Sequence, residues 1–243
     1  MGNPFFHFKQ FSILKQEKGL KVTTDSCLLG ALANYYSPKR CLDIGTGTGV
    51  IAMMLAQKFP NSKIDAIDIE DEIVKQAQFN INHSIFSSQI EISNSDVLNF
   101  SKVYLYDLIT CNPPYFSNHL KKASSEKNSA IHNLQLPLDQ FIKSIKSLLN
   151  PNGVFWVIYP NYESELFKEL AIQSNLFPIE EYQIFTRPEK MFRKITSYSL
   201  QAVSNIQDSI LVLNNDEGEK TAQFTNLMRP FYLENTELYQ SKA

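Results

Sequence analysis

A chain of 243 residues, 43% of them hydrophobic, is long enough to bury a core without disulfide or metal staples, and one α/β domain with trimmings fits that length. A net charge of −2, from 23 basic and 25 acidic side chains, with a pI near 6.1, excludes a general basic coat for nucleic acid and leaves room only for a local basic patch. Cys27, Cys41 and Cys111 are odd in number and widely spaced, which suits reduced core thiols, and no stretch approaches the roughly 18 apolar residues of a membrane span, so the expectation is a soluble, cytoplasmic protein.

Residues 1–38 read as an N-terminal extension packing on the main domain, with an amphipathic helix in "TTDSCLLGALANYY" that begins at Thr24 or Asp25. From Lys39 short β-branched runs alternate with helical ones. "RCLDI" (40–44), "KIDAID" (63–68), "QIEIS" (89–93), "YDLITC" (106–111) and "VFWVIY" (154–159) are the predicted strands. Between them, Ile73, Ala77, Ile81 and Ile85 form a helical stripe behind the acidic turn Glu70, Asp71, Glu72. Leu138, Phe141, Ile142, Ile145, Leu148 and Leu149 form another, ended by "NPNG". After a helix near 162–173, "EEYQIFT" (180–186) and "KITSYSLQA" (194–202) are joined by so short a basic loop that they must pair antiparallel. This order implies a mostly parallel sheet with helices on both faces. Seven strands ending in an antiparallel hairpin is an arrangement that resembles the Rossmann-like class I methyltransferase fold. On that resemblance residues 39–205 are the S-adenosylmethionine-dependent methyltransferase domain, and 206–243 are a small C-terminal appendage of it.

"CLDIGTGTGVIAMMLA" sets Gly45, Gly47 and Gly49 in a turn between a buried strand and a helix start, where glycine lets a ligand lie against the backbone. A dinucleotide fingerprint requires glycine or alanine three residues after its second glycine, and here that position is Val50. The spacing led by Asp43 instead resembles the S-adenosylmethionine loop, with Asp43 facing the amino-acid end of the cofactor and Thr46 in the turn. Asp68, at the end of the next strand, is placed to accept ribose hydroxyls. Asp96 follows the third strand and resembles the acid that contacts the adenine amino group, with Ile69 and Val97 beside these two acids completing the cofactor set.

"NPPY" follows the fourth strand and falls on the same sheet edge. An exocyclic amine on a conjugated ring is a poor nucleophile, so its nitrogen must be held with the lone pair toward the methyl group. The Asn112 side-chain carbonyl and a backbone carbonyl of Pro113–Pro114 can accept its two hydrogens, proline offers no competing N–H, and Tyr115 offers a ring face to a planar base or amide. No metal is required, and His7, His83, His119 and His132 have no ligand spacing.

"FHFKQFSILKQEKGLKVTTDSCLLGALA" (6–33), with "CLDIGTGTGVIAMMLAQ", "NPPYF", "NPNGVFWVIYP" and "FYL", resembles the bacterial tRNA1(Val) (adenine37-N6)-methyltransferases over most of the chain. The resemblance implies S-adenosylmethionine as methyl donor and tRNA as partner, with no obligate protein partner evident. It puts Lys21, Thr24 and Asp25 near the cofactor or base pocket, Asn112 and Tyr115 on the base, and Phe116 as a second stacking surface. It departs at "SAIH" (129–132), where Ile131 stands in place of an expected arginine. For RNA phosphates the candidates are Lys121, Lys122, Lys127, Arg187, Lys190, Arg193 and Lys194. Alternatives within the enzyme class are methylation of a protein glutamine at N5 or of adenine in another nucleic acid. The non-enzyme alternative is a cofactor- or RNA-binding module without catalysis, against which the intact Asn112–Tyr115 set argues.

Overall fold

The computed structural model describes residues 4–14, 21–114 and 127–233, and over 127–137 it describes the backbone alone. Two short strands, β1 (Phe5–His7) and β2 (Ser12–Leu14), form a hairpin in which Phe6 pairs with Ile13. Phe8 and Phe11 stack at its end with ring centroids 4.4 Å apart, and the Lys9 N–H donates to the Phe231 carbonyl at 2.8 Å, so the two outer segments of the chain meet. Helix α1 (Thr24–Leu32) starts at Thr24, because Thr23 and Ser26 close a reciprocal capping box that satisfies two orphan N–H groups.

Strands and helices then alternate through β3 (Arg40–Ile44), α2 (Val50–Lys58), β4 (Lys63–Asp68), α3 (Asp71–Asn82), β5 (Ile90–Asn94) and β6 (Tyr106–Cys111). There follow α4 (Lys127–Leu148), β7 (Leu149–Tyr159), α5 (Asn161–Gln173), β8 (Phe177–Arg187), β9 (Lys190–Ser199), β10 (Gln207–Val212) and α6 (Ala222–Met228). The main sheet has the order β10-β8-β9-β7-β6-β3-β4-β5, and only β9 runs antiparallel to its neighbours.

Two expectations change. The sheet has eight strands instead of seven, since "SILVLN" is more than an appendage: β10 covers the free edge of β8 in parallel register, with Leu211 and Leu213 buried and Ile210 exposed in two-residue alternation. Strand β7 also begins earlier than the apolar run suggests. The "NPNG" segment is taken into it where the β6–β7 register slips between Tyr106 and Leu108, and only glycine fits at 153, where a Cβ would lie 2.7 Å from the Tyr106 carbonyl oxygen.

The sheet separates two cores. One, under α1, α2 and α3, buries Leu28, Leu29, Met53, Met54 and Ile81 together with Phe8 and Phe11 of the N-terminal hairpin. The other, under α4 and α5, buries Ile142, Ile145, Phe155, Phe167 and Tyr198. The three cysteines are free and buried. Among the described residues no helix is long and apolar enough to cross a membrane. The parallel strands β3, β4, β5, β6 and β7 end on one edge, at Ile44, Asp68, Asn94, Cys111 and Tyr159.

Candidate active site

That edge opens on a cavity of about 600 Å3, within the range of roughly 300–1,000 Å3 usual for small-molecule pockets. Its floor is the turn after β3. Gly45, Gly47 and Gly49 all have positive φ, at 65°, 58° and 82°, and the space where a Gly45 side chain would stand is open. The backbone there is bare toward the cavity, and that is what a ligand lying along a βα turn needs.

Asp68, at the end of β4, holds this turn: its Oδ2 accepts the Gly47 N–H at 3.1 Å and its Oδ1 the Glu70 N–H at 3.2 Å. A carboxylate has about four acceptor positions, so two remain for a ligand hydroxyl. Asn94 donates to the Asp68 and Ile69 carbonyls and fixes the loop beneath them. Asp96 accepts the Leu98 N–H at 2.9 Å as a local turn cap, and it also lines the cavity with Val97 and with Ile69, whose side chain is exposed.

Beyond β6, Asn112, Pro113 and Pro114 enter the same cavity, whose wall on that side is completed by Cys111, Leu138, Phe141 and Tyr159. Burial and the charges of Asp43 and Asp68 push the Cys111 thiol up, so it stays a neutral apolar wall. Burial likewise raises the Tyr159 phenol. From the N-terminal segment come Lys21, Thr23, Asp25 and Ser26.

Gly45, Thr46, Gly47, Asp68, Ile69, Asp96, Val97, Lys21, Asp25 and Asn112–Pro114 are thus brought together. Three expected cofactor residues stand off the wall. Thr24 is replaced there by Thr23 and Ser26, because the helix start turns Thr24 away. Gly49 is the α2 N-cap. Asp43, expected to face the cofactor, is fully buried behind the turn. Tyr115, Phe116, Lys121 and Lys122 lie outside the described residues, as does the side chain of Lys127.

The expected phosphate contacts divide. Arg187 and Lys190 are exposed at the β8–β9 tip. Because β9 meets β7 only from Lys194 opposite Tyr159 onward, this tip projects past β7 on the cavity's edge. Arg193 and Lys194 are corrected. Arg193 Nε donates to Asp25 Oδ2 at 2.9 Å, and buried Lys194 pairs with Glu181 at 2.9 Å and with Glu165, so their charges serve internal partners.

Tyr159, Phe141 and Leu138 are not legible as site residues, since in the sequence they are only the end of an apolar strand and a buried helix stripe. The adjacency of β7 to β6 places Tyr159 on the wall, and the packing of α4 on that face of the sheet places Leu138 and Phe141 there.

A family model described as a methyltransferase domain matches residues 37–211. A tRNA1(Val) (adenine(37)-N6)-methyltransferase of Bacteroides fragilis is 36% identical over 96% of this chain and 99% of its own length. One of Vibrio parahaemolyticus is 35% identical over 94% and 95%. The chain belongs to the tRNA1(Val) (adenine(37)-N6)-methyltransferase family. Likeness to this family extends well before residue 37, so it takes in the segment that supplies Lys21, Thr23 and Asp25 to the cavity. Among solved structures, one described as a predicted O-methyltransferase from Agrobacterium tumefaciens superposes with a TM-score of 0.67, covering 88% of this chain and all of that one. At 17% identity this likeness shows the fold of the chain alone.

Proposed function

We propose that the protein methylates the exocyclic N6 amine of an adenine in tRNA, with S-adenosylmethionine as donor, and that the target is adenine 37 of tRNA1(Val), as in the names of its relatives. The observation that carries this is the convergence of Asn112, Pro113 and Pro114 on the cavity that also holds the bare glycine turn, Asp68 and Asp96.

The residues fit the donor. The turn from Gly45 to Gly47 offers backbone to its amino-acid end, Asp68 offers acceptors to ribose hydroxyls, and Ile69 and Val97 offer apolar surface to its adenine beside Asp96. When bound, S-adenosylmethionine supplies a methyl group on a sulfonium, whose S–C bond breaks as the N6–C bond forms. Asn112 Oδ1 and a prolyl carbonyl accept the two amine hydrogens, rotating the nitrogen lone pair out of conjugation and toward the donor. Neither oxygen is basic enough to keep the proton that nitrogen sheds, so it passes to solvent. Tyr115 stacks on the flipped base, and Phe116 offers a second face. Lys121, Lys122, Arg187 and Lys190 approach phosphates, and a tRNA substrate puts the reaction in the cytoplasm.

The test incubates protein with tritiated S-adenosylmethionine and, in parallel, bulk tRNA, duplex DNA and total protein that lack the modification. Asn112→Ala is the control. Counts in tRNA, recovered after digestion as N6-methyladenosine and lost in the variant, are the expected result. Counts in protein or DNA instead would overturn it.

A further inference from the structure

Among the described residues, Asp43 is a carboxylate fully buried behind the glycine turn of the site. It lies on β3 directly opposite Thr110 of β6, and strand alternation turns both side chains to the α2 side of the sheet, while Ile44 and Cys111 turn to the cavity. Its two oxygens are divided between two walls. Thr46 Oγ1, from the glycine turn, donates to Oδ2 at 2.7 Å, and Thr110 Oγ1 donates to Oδ1 at 3.0 Å. The Ala52 backbone N–H, in the first turn of α2, also favours the charged form, where the N-cap Gly49 has no side chain to offer. No ion pair reaches Asp43 among the described residues. A fully buried carboxylate held by neutral donors alone costs free energy that a leucine would not, so packing gives no reason for it.

The three donors belong to the segments whose relative placement matters. Thr46 is in the turn that carries the donor, and Thr110 is two residues before Asn112, which carries the acceptor amine. We propose that Asp43 locks the glycine turn to the Asn112 end of β6, and that Thr110, which touches neither donor nor base, is a positioning residue for methyl transfer. This rests on the methyltransferase reading above. In-line displacement is sensitive to such placement, a misplacement of about 1 Å costing on the order of 100-fold in rate.

Thr110→Val keeps the shape and removes the hydroxyl, and Thr110→Ser keeps the hydroxyl. With Thr46→Val and the double valine variant, each is measured for S-adenosylmethionine affinity by calorimetry, single-turnover methylation of unmodified tRNA, melting temperature, and amide exchange in the free protein. Thr110→Val is expected to bind the donor within about twofold of wild type and to react roughly 10–100-fold more slowly. Serine should restore the rate to within a few fold. Thr46→Val should weaken donor binding and slow the reaction, and the double variant should lose less than the product of the single losses. Exchange should quicken together at 45–49 and at 111–112 in Thr110→Val. A wild-type rate in Thr110→Val, a loss that serine does not restore, or losses that simply multiply would overturn the inference. A wild-type protein that binds the donor and methylates no tRNA would overturn the function proposed above. In that event exchange decides the present point, upheld by joint loosening and overturned by loosening at one segment alone.

Discussion

Arg187 and Lys194 stand on one hairpin and are expected to respond in opposite ways to substitution. Lys194 shares Glu181 with Lys168, at 2.9 and 3.0 Å, inside the protein. Lys194→Met should lower stability by up to about 3 kcal/mol, because it leaves an under-compensated buried carboxylate, while the salt dependence of tRNA binding stays as in wild type. Charge reversal of Arg187 and Lys190, both exposed, should leave the melting temperature alone and reduce the slope of log affinity against log salt by about one per lost phosphate contact. Equal slopes for all three variants would remove the hairpin tip from the RNA interface. Asp43 has a pH signature. Burial, against hydrogen bonds from Thr46 and Thr110, raises its carboxyl from its ordinary value of 3.8 to about 7. Between those values the folded protein keeps a proton that the unfolded chain has released, so this group lowers stability as pH rises from about 4 to 7 and adds no further slope above that. Asp43→Asn removes that slope. Melting temperatures of variant and wild type should therefore diverge in the variant's favour from about pH 4 to 7 and run parallel above that, and curves parallel throughout would contradict the assignment.

At the scale of elements, turns and caps carry more than propensity. Gly153→Ala would put a methyl carbon 2.7 Å from the Tyr106 carbonyl oxygen, which is backbone and cannot step aside. The change should cost about 1–3 kcal/mol, read as a lowered urea midpoint with unchanged slope. Thr23→Ala opens the capping box of α1 and should cost about 1 kcal/mol. Because Thr23 also lines the cavity, donor affinity should fall with it, whereas Gly153→Ala should leave affinity unchanged. The main elements were legible because apolar periodicity decides them: the glycine turn, the helix at 71–82 and the strand ending at Cys111 all follow from local pattern. The early start of β7 was not legible, because a bulge is specified by the partner strand and "NPNG" alone reads as a turn. Nor was β10 assigned to the sheet, since nothing local in "SILVLN" says that β8 has a free edge.

Across the whole molecule, the residues legible as a site were those that glycine, proline or a strand-end acid marks locally: Gly45, Asp68, Asp96 and Asn112. Those that depend on which strands become neighbours were hidden, and this holds for Tyr159 on the wall, Asp43 behind it and Arg193 turned inward to Asp25. A basic residue on a strand gives no sign in sequence of whether a buried acid waits across the sheet. The lone antiparallel strand carries a further consequence. Strand β9 fills the slot between β7 and β8, so in the sheet β8 and β10 are joined to the strands β3 to β7 across the β7–β9 seam. Everything the cavity needs from the sheet lies on the other side of that seam, in β3 to β7, and the Arg193–Asp25 pair reaches across it. The seam is a natural line of partial opening, and β8 to β10 should exchange their amides as one cooperative unit at lower free energy than β3 to β7. Saturation with S-adenosylmethionine should then slow exchange in β3 to β7 and scarcely touch the ribbon beyond, so the enzyme would hold its donor while its far edge breathes.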